Sequence, residues 1–247
     1  LVVASNGVVK AAIKDGSVAA TLKALKDVDP AGTDVLKFKS TDKTADAKAL
    51  AALDALLGSA NTDFSSVQTI TSKAADIGLN GKNVTDALAL ATVGNPAVTI
   101  TNGTISATNA GLISHATTGK VTATVAADTA AKLKAALTDN SANELNLTVN
   151  GAKADAGDLA NLLTKTTGKI TVTAKEISGD LAKIKAVLVT NADKFTGLDK
   201  VAVKITDATI VANLADVIAD ATSGVVTATI ASGTAADLNT ALVDAGK

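Results

Sequence analysis

Apolar and polar residues alternate in short runs, and each run gives way to a helical pattern. The run VTATV places Val121, Ala123 and Val125 on one face and Thr122 and Thr124 on the other, the period of a half-buried strand. The same alternation turns Thr99 and Thr101 outward, then Thr171 and Thr173, then Thr227 and Thr229, with Lys37, Lys39, Ala202 and Lys204 at matching positions. After these runs, apolar residues recur at helical spacing, as in Leu159, Leu162 and Leu163, or Leu181, Ile184 and Leu188, or Leu214, Val217 and Ile218. Earlier helices are expected near Val18–Leu25, Ala45–Leu57 and Val84–Val93.

The strand-then-helix sentence is written repeatedly. TTGKVTATVAADTAAKLKAAL (Thr117–Leu137) returns as TTGKITVTAKEISGDLAKIKAVL (Thr166–Leu188) and as TSGVVTATIASGTAADLNTAL (Thr222–Leu242). Strand starts marked by Val9, Leu36, Val67, Val98, Val121, Leu145, Ile170, Val201 and Val226 are spaced 23 to 31 residues apart, the period of a repeat architecture. Helix entrances such as TNAGL (Thr108–Leu112), TAAKL (Thr129–Leu133), DAGDL (Asp155–Leu159), ISGDL (Ile177–Leu181) and TAADL (Thr234–Leu238) offer N-cap oxygens. Gly119, Gly168 and Gly224 stand where a left-handed residue commonly ends a helix.

Successive βα units with short connections predict parallel strands and right-handed crossovers. The outward Thr and Lys positions argue for a sheet with one wet face. A doubly wound sheet or a closed βα barrel would instead cover both faces and read as continuous apolar runs. The expected fold is therefore an open right-handed βα solenoid of about nine repeats, sheet on one side and helices on the other, with the closed barrel as the alternative. Residues 1–247 are expected to form one repeat domain, divergent over 1–96 and regular over 97–247.

Composition sharpens this picture. The 247 residues are 47% hydrophobic but contain only three aromatics, Phe38, Phe64 and Phe195, so the core must be Ala, Val, Leu and Ile in thin layers. Cys, Met, Trp, Tyr and Arg are absent, and 23 Lys balance 24 acidic residues to a net charge of −1. Such a chain offers nucleic acid neither an electrostatic footprint nor stacking platforms. No apolar run reaches the roughly 20 residues needed to span a bilayer. A chain opening on Leu1 without a charged leader reads as a processed product or a piece of a longer protein.

Catalytic chemistry is sparse. His115 is the only histidine and sits near a predicted helix end, a place for a capping residue. The Gly–Lys pairs at Gly81, Gly119 and Gly168 lack the phosphate-loop frame. No enzyme activity and no cofactor are expected. Calcium is the cation that the Asp- and Asn-rich turns could take, with Asp27 and Asp29 as paired acids, although no known calcium-loop pattern is present. The sharpest surface feature is the Thr set: Thr99, Thr101, Thr122, Thr124, Thr171, Thr173, Thr227 and Thr229. Stacked in register, these would line one flat face and resemble the surface of ice-binding solenoids, although Thr is also the polar residue best suited to exposed strand positions.

The stretches VTATIASGTAADLNTAL and ITDATIVANLADVIADATSG resemble the Ala/Thr/Val-rich repeats of large secreted bacterial surface proteins, cyanobacterial ones among them. The overall composition is similar to that of surface-layer and sheath proteins. The resemblance implies an extracellular or cell-surface structural protein: a filament, sheath or surface-layer component that associates with itself end to end. An adhesin or binding module, with the Thr face holding a polysaccharide, a mineral or ice, is the alternative. No site residues come with it.

Overall fold

Short strands rich in Val, Ile and Thr pair side by side in parallel, and helices begin at Ser, Thr and Asp caps. A computed structural model describes residues 9–26, 35–91, 95–138 and 142–242. The chain is α/β, with nine α-helices among those residues and strands that pair in parallel. It forms two compact units, Leu1–Ala123 and Thr124–Lys247.

The first unit runs β1 (Lys10–Ala12), α1 (Val18–Ala24), β2 (Val35–Lys39), β3 (Thr44–Asp46) and α2 (Ala47–Leu57). It continues with β4 (Thr62–Asp63), β5 (Thr69–Lys73), α3 (Lys82–Leu90), β6 (Ala97–Thr101), α4 (Ala107–Ala116) and β7 (Val121–Thr124), within which the unit boundary falls. One sheet has the order β1-β2-β4, and β6 and β5 lie between β7 and β3 in another.

The second unit runs α5 (Ala130–Ala136), β8 (Glu144–Val149), β9 (Lys153–Asp155), α6 (Ala156–Leu162), β10 (Ile170–Val172) and β11 (Glu176–Gly179). Then come α7 (Leu181–Lys185) with a π turn over Ala186–Thr190, β12 (Phe195–Thr196), β13 (Ala202–Ile205), α8 (Ala212–Asp220), β14 (Val226–Thr227) and α9 (Ala235–Ala241). Here the sheets have the orders β12-β10-β8 and β14-β13-β11-β9. No sheet closes on itself among the described residues.

Several repeats lay down two strands before their helix. β8 is followed by a turn with Gly151 at φ +111° and then by β9, which joins a different sheet. These second strands are three or four residues long, too short to show an alternation of their own. Phe64, just past β4, and Phe195, which opens β12, are both buried.

The inward positions of the strands and helices form the core. β6 alternates Val98 and Ile100, both buried, with Thr99 and Thr101 facing outward, and β8 alternates Leu145, Leu147 and Val149 with Glu144 and Asn146. Leu50, Leu53, Leu133, Leu159 and Leu162 supply the helical half. Each such side chain contributes about 1.5–3 kcal/mol on burial. Seven of the nine helices carry a side-chain N-cap, namely Ser17, Asp46, Ser106, Thr129, Asp155, Asp180 and Thr234. For α4 the cap is Ser106, two residues ahead of the expected Thr108, because Ser106 is the residue whose oxygen meets the third helical amide. The expected helix end at Val93 and the expected domain ends at Leu1 and Lys247 lie outside the described residues.

The glycines of the T-[TS]-G turns act differently from expectation. Gly119, Gly168 and Gly224 have no left-handed φ. They are required by close backbone approach: a Cβ on Gly168 would stand 2.5 Å from the Leu145 carbonyl oxygen, and one on Gly224 would stand 2.2 Å from that of Val201.

Candidate interaction surface

The same turn carries a buried staple. Thr117, Thr166 and Thr222 are each almost fully buried. Their hydroxyls donate to the carbonyls of Pro96 (2.9 Å), Leu145 (2.7 Å) and Val201 (2.8 Å), always 21 residues earlier. The same oxygens accept the N–H of Gly119, Gly168 and Gly224 at 2.9–3.0 Å. One hydroxyl thus closes its own turn and ties it to the preceding repeat, satisfying buried backbone groups that would otherwise cost stability. This threonine-glycine pair was visible in the quoted repeats, but its role requires knowing that the turn is buried.

The eight outward threonines fall into separate rows. Thr99 pairs in register with Thr71 on one side and Thr122 on the other. Thr101 lies opposite Lys73, and Thr124 is exposed at the end of β7. Thr171 pairs with Thr148 and with Thr196, whose hydroxyl donates to that of Thr171 at 3.0 Å. Thr173 is exposed just past β10 and donates to the Val149 carbonyl at 3.1 Å. Thr227 belongs to the other sheet of its unit, opposite Lys204, with exposed Thr229 beyond it. The structure therefore makes two three-membered threonine rows, Thr71–Thr99–Thr122 and Thr148–Thr171–Thr196, and sets Thr227 and Thr229 apart from both. Thr71, Thr148 and Thr196 complete these rows, Thr196 in a strand of only two residues.

Charges pair across neighbouring repeats rather than gathering at one point. Lys48 reaches Asp76 at 3.3 Å, Lys153 reaches Glu176 at 3.2 Å, and Lys134 pairs with Asp158 between α5 and α6. The Asp158 carboxylate raises the Lys134 pKa above its usual value. Lys37 and Lys39 flank the outer face of β2, and Lys39 approaches Asp63 at 3.6 Å. Hydrogen bonds from Ser65, first from its side chain and then from its backbone, hold the Asp63 carboxyl below its usual value, and Lys39 adds to the shift. His115 is exposed in the last turn of α4. Among the described residues no three His, Asp or Glu side chains converge as a metal site. Asp27 and Asp29 lie outside those residues. No described helix is long and apolar enough to cross a membrane.

No family model, curated protein or solved structure matches this chain. Its own second half does. Residues 96–137 align without gaps on 201–242, offset by 105, and are identical at 23 of 42 positions. The elements follow suit: α4 begins at Ala107 and α8 at Ala212, while α5 spans Ala130–Ala136 and α9 Ala235–Ala241.

The two copies differ in what covers them. In the first, Val125, Leu133 and Leu137 are buried. Val125 N–H donates to Asn146 at the edge of β8 at 2.9 Å, and α5 packs on α6. In the second, the counterparts Ile230, Leu238 and Leu242 are only half-buried, α9 buries no residue, and Val225 is 75% exposed. Val225, Ile230 and Leu242 border a groove of about 550 Å³ beside α8 and β14.

Proposed function

We propose that the chain is a non-catalytic structural repeat protein, an open right-handed βα solenoid that assembles end to end into a filament, sheath or surface layer outside the cell. The observation that carries this reading is the pair of outer strands. Among the described residues β1 ends one sheet order and β14 ends another, and all three residues of β1 are exposed. An unpaired parallel edge is a template for a further strand. The extracellular placement rests on the resemblance of residues 97–247 to secreted surface repeats. Electron microscopy of the purified chain tests the reading: filaments or a lattice are expected, and uniformly dispersed single particles at every concentration would refute it.

A second reading is favoured by the two threonine rows, whose hydroxyls repeat at the interstrand spacing of roughly 4.8 Å. In this reading the wet sheet faces hold a surface polysaccharide, a mineral or ice. Thr122→Phe and Thr171→Phe would then abolish retention on such a substrate. Retention unchanged in both variants rejects it.

A further inference from the structure

An Asn-Gly pair is a place where a chain can modify itself. The Gly amide nitrogen, unhindered because Gly has no Cβ, attacks the Asn side-chain carbonyl carbon. Ammonia leaves and a cyclic succinimide forms, which water opens at either carbonyl to give aspartate or isoaspartate. Such pairs stand at Asn6, Asn80, Asn102 and Asn150, and Asn6–Gly7 lies outside the described residues. The attack needs an unengaged amide and a side chain free to swing onto it, so a held pair reacts only through local opening.

Two of the described pairs are held. Gly81 is buried, the Ile113 side chain lies 3.5 Å from where its Cβ would stand, and the Lys82 N–H closes the turn on the Leu79 carbonyl. Asn150 is half-buried. Its N–H donates to the Asp128 carbonyl at 3.0 Å, and the Gly151 carbonyl accepts the Lys175 N–H at 3.2 Å. Asn102 and Gly103 differ. They lie in the turn between β6 and α4, and both are exposed. Neither the Asn102 side chain nor the Gly103 N–H is hydrogen-bonded among the described residues. Both have left-handed φ, +53° and +125°, so this turn lies outside every helix and strand ladder.

The duplication shows what the turn accepts. Asn102 and Gly103 align with Asp207 and Ala208, and the Asp207 carboxylate accepts the N–H of Leu181, the first residue of α7. In the first copy the neighbour is Ala74, 3.1 Å from where a Gly103 Cβ would stand, and it opens a short 3-10 turn with no side-chain cap. Conversion of Asn102 to aspartate therefore writes the second copy's residue into the first, beside an uncapped turn.

We propose that Asn102–Gly103 is a self-modification site of the folded chain, which releases ammonia and gains a carboxylate there without an enzyme or cofactor. The new negative charge stands one residue past Thr101, which pairs with Lys73, and so alters the rim of the wet sheet face. The proposal does not depend on end-to-end assembly.

The folded full chain, incubated in mildly alkaline buffer beside a sample unfolded in urea, tests this. Peptide mapping by tandem mass spectrometry follows each Asn, and an isoaspartyl methyltransferase labels the isoaspartate. In the folded chain Asn102 should react about tenfold or more faster than Asn80 and Asn150, the factor that about 1.4 kcal/mol of local opening imposes on held pairs. In urea the three should converge. Asn102→Gln, whose longer side chain closes the ring far more slowly, should lose the fast product at this turn. Asn102→Asp, the direct product, should match wild type in urea unfolding. Equal rates at the three pairs in the folded chain, or an Asn102 that reacts only in urea, would overturn the proposal. A clearly destabilised Asn102→Asp would show that the turn does not accept the product.

Discussion

Thr166 grips the peptide of Leu145 on both sides: its hydroxyl donates to the Leu145 carbonyl at 2.7 Å and its oxygen accepts the Leu145 N–H at 2.7 Å. The equivalent hydroxyls of Thr117 and Thr222 repeat the donation to Pro96 and Val201. Repeats are therefore held together by buried polar staples as well as by thin aliphatic layers.

Removing a staple should cost more than removing a surface hydrogen bond. Thr166→Val keeps the shape but strands the Leu145 carbonyl and N–H and the Gly168 N–H. The expected loss is about 1–3 kcal/mol in urea unfolding. Thr166→Ser, which keeps the hydroxyl, should recover most of it. Equal losses in the two variants would mean that the methyl group, and not the hydroxyl, is what matters.

The staple works only because the next turn residue is glycine. Gly168→Ala drives a methyl to 2.5 Å from the Leu145 oxygen, and backbone cannot yield as a side chain would. A destabilisation of about 1–3 kcal/mol is expected. Gly233 is the control, since a Cβ there would meet only the Leu238 side chain at 3.6 Å. Gly233→Ala should be neutral or stabilise by about 0.4–1 kcal/mol through the unfolded chain. Thermal melts of both variants decide the point.

The legibility of the fold follows from the length of each signal. β6 and β8, five and six residues long, announce themselves by alternation, and the caps Thr129, Asp155 and Thr234 lie where the helix entrances put them. The second strands could not be read, because segments such as Lys153–Asp155 carry a single inward residue, Ala154. The glycines were placed correctly and explained wrongly, since a turn glycine required by φ and one required by contact look the same in sequence. The threonine rows were half legible. Alternation sets which face a residue takes, but the strand it pairs with depends on where the chain steps between sheets, and those steps fall at short second strands such as Lys153–Asp155 and Glu176–Gly179. The duplication of residues 96–137 in 201–242 was legible in principle, because it is a property of the sequence alone.

Helices also borrow caps from the following repeat. Asp207 accepts the Leu181 N–H at 2.6 Å while Asp180 accepts that of Lys183 at 2.8 Å, and Asp42 serves Val18 in the same way. Asp207→Ala should therefore destabilise by about 1 kcal/mol. It should also speed amide exchange in the first turn of α7, in a different repeat from the mutation. Exchange changes confined to residues around Asp207 itself would show that the borrowed cap carries no weight.

Asp63 gives a pH test with a definite sign. Hydrogen bonds from Ser65, helped by Lys39, lower its folded-state pKa below the usual 3.8. A depressed carboxyl stabilises fully above the unfolded-state value, and that contribution disappears as pH falls through the folded-state value. The stability gap between wild type and Asp63→Asn should thus be largest near neutrality and narrow below about pH 4. Asp63 is 45% exposed, so solvent screens the interaction and the gap stays small. Urea unfolding of both proteins across that range reads it. A gap that widens on acidification would mean that Asp63 is better accommodated protonated, and that Ser65 and Lys39 do not favour its charge.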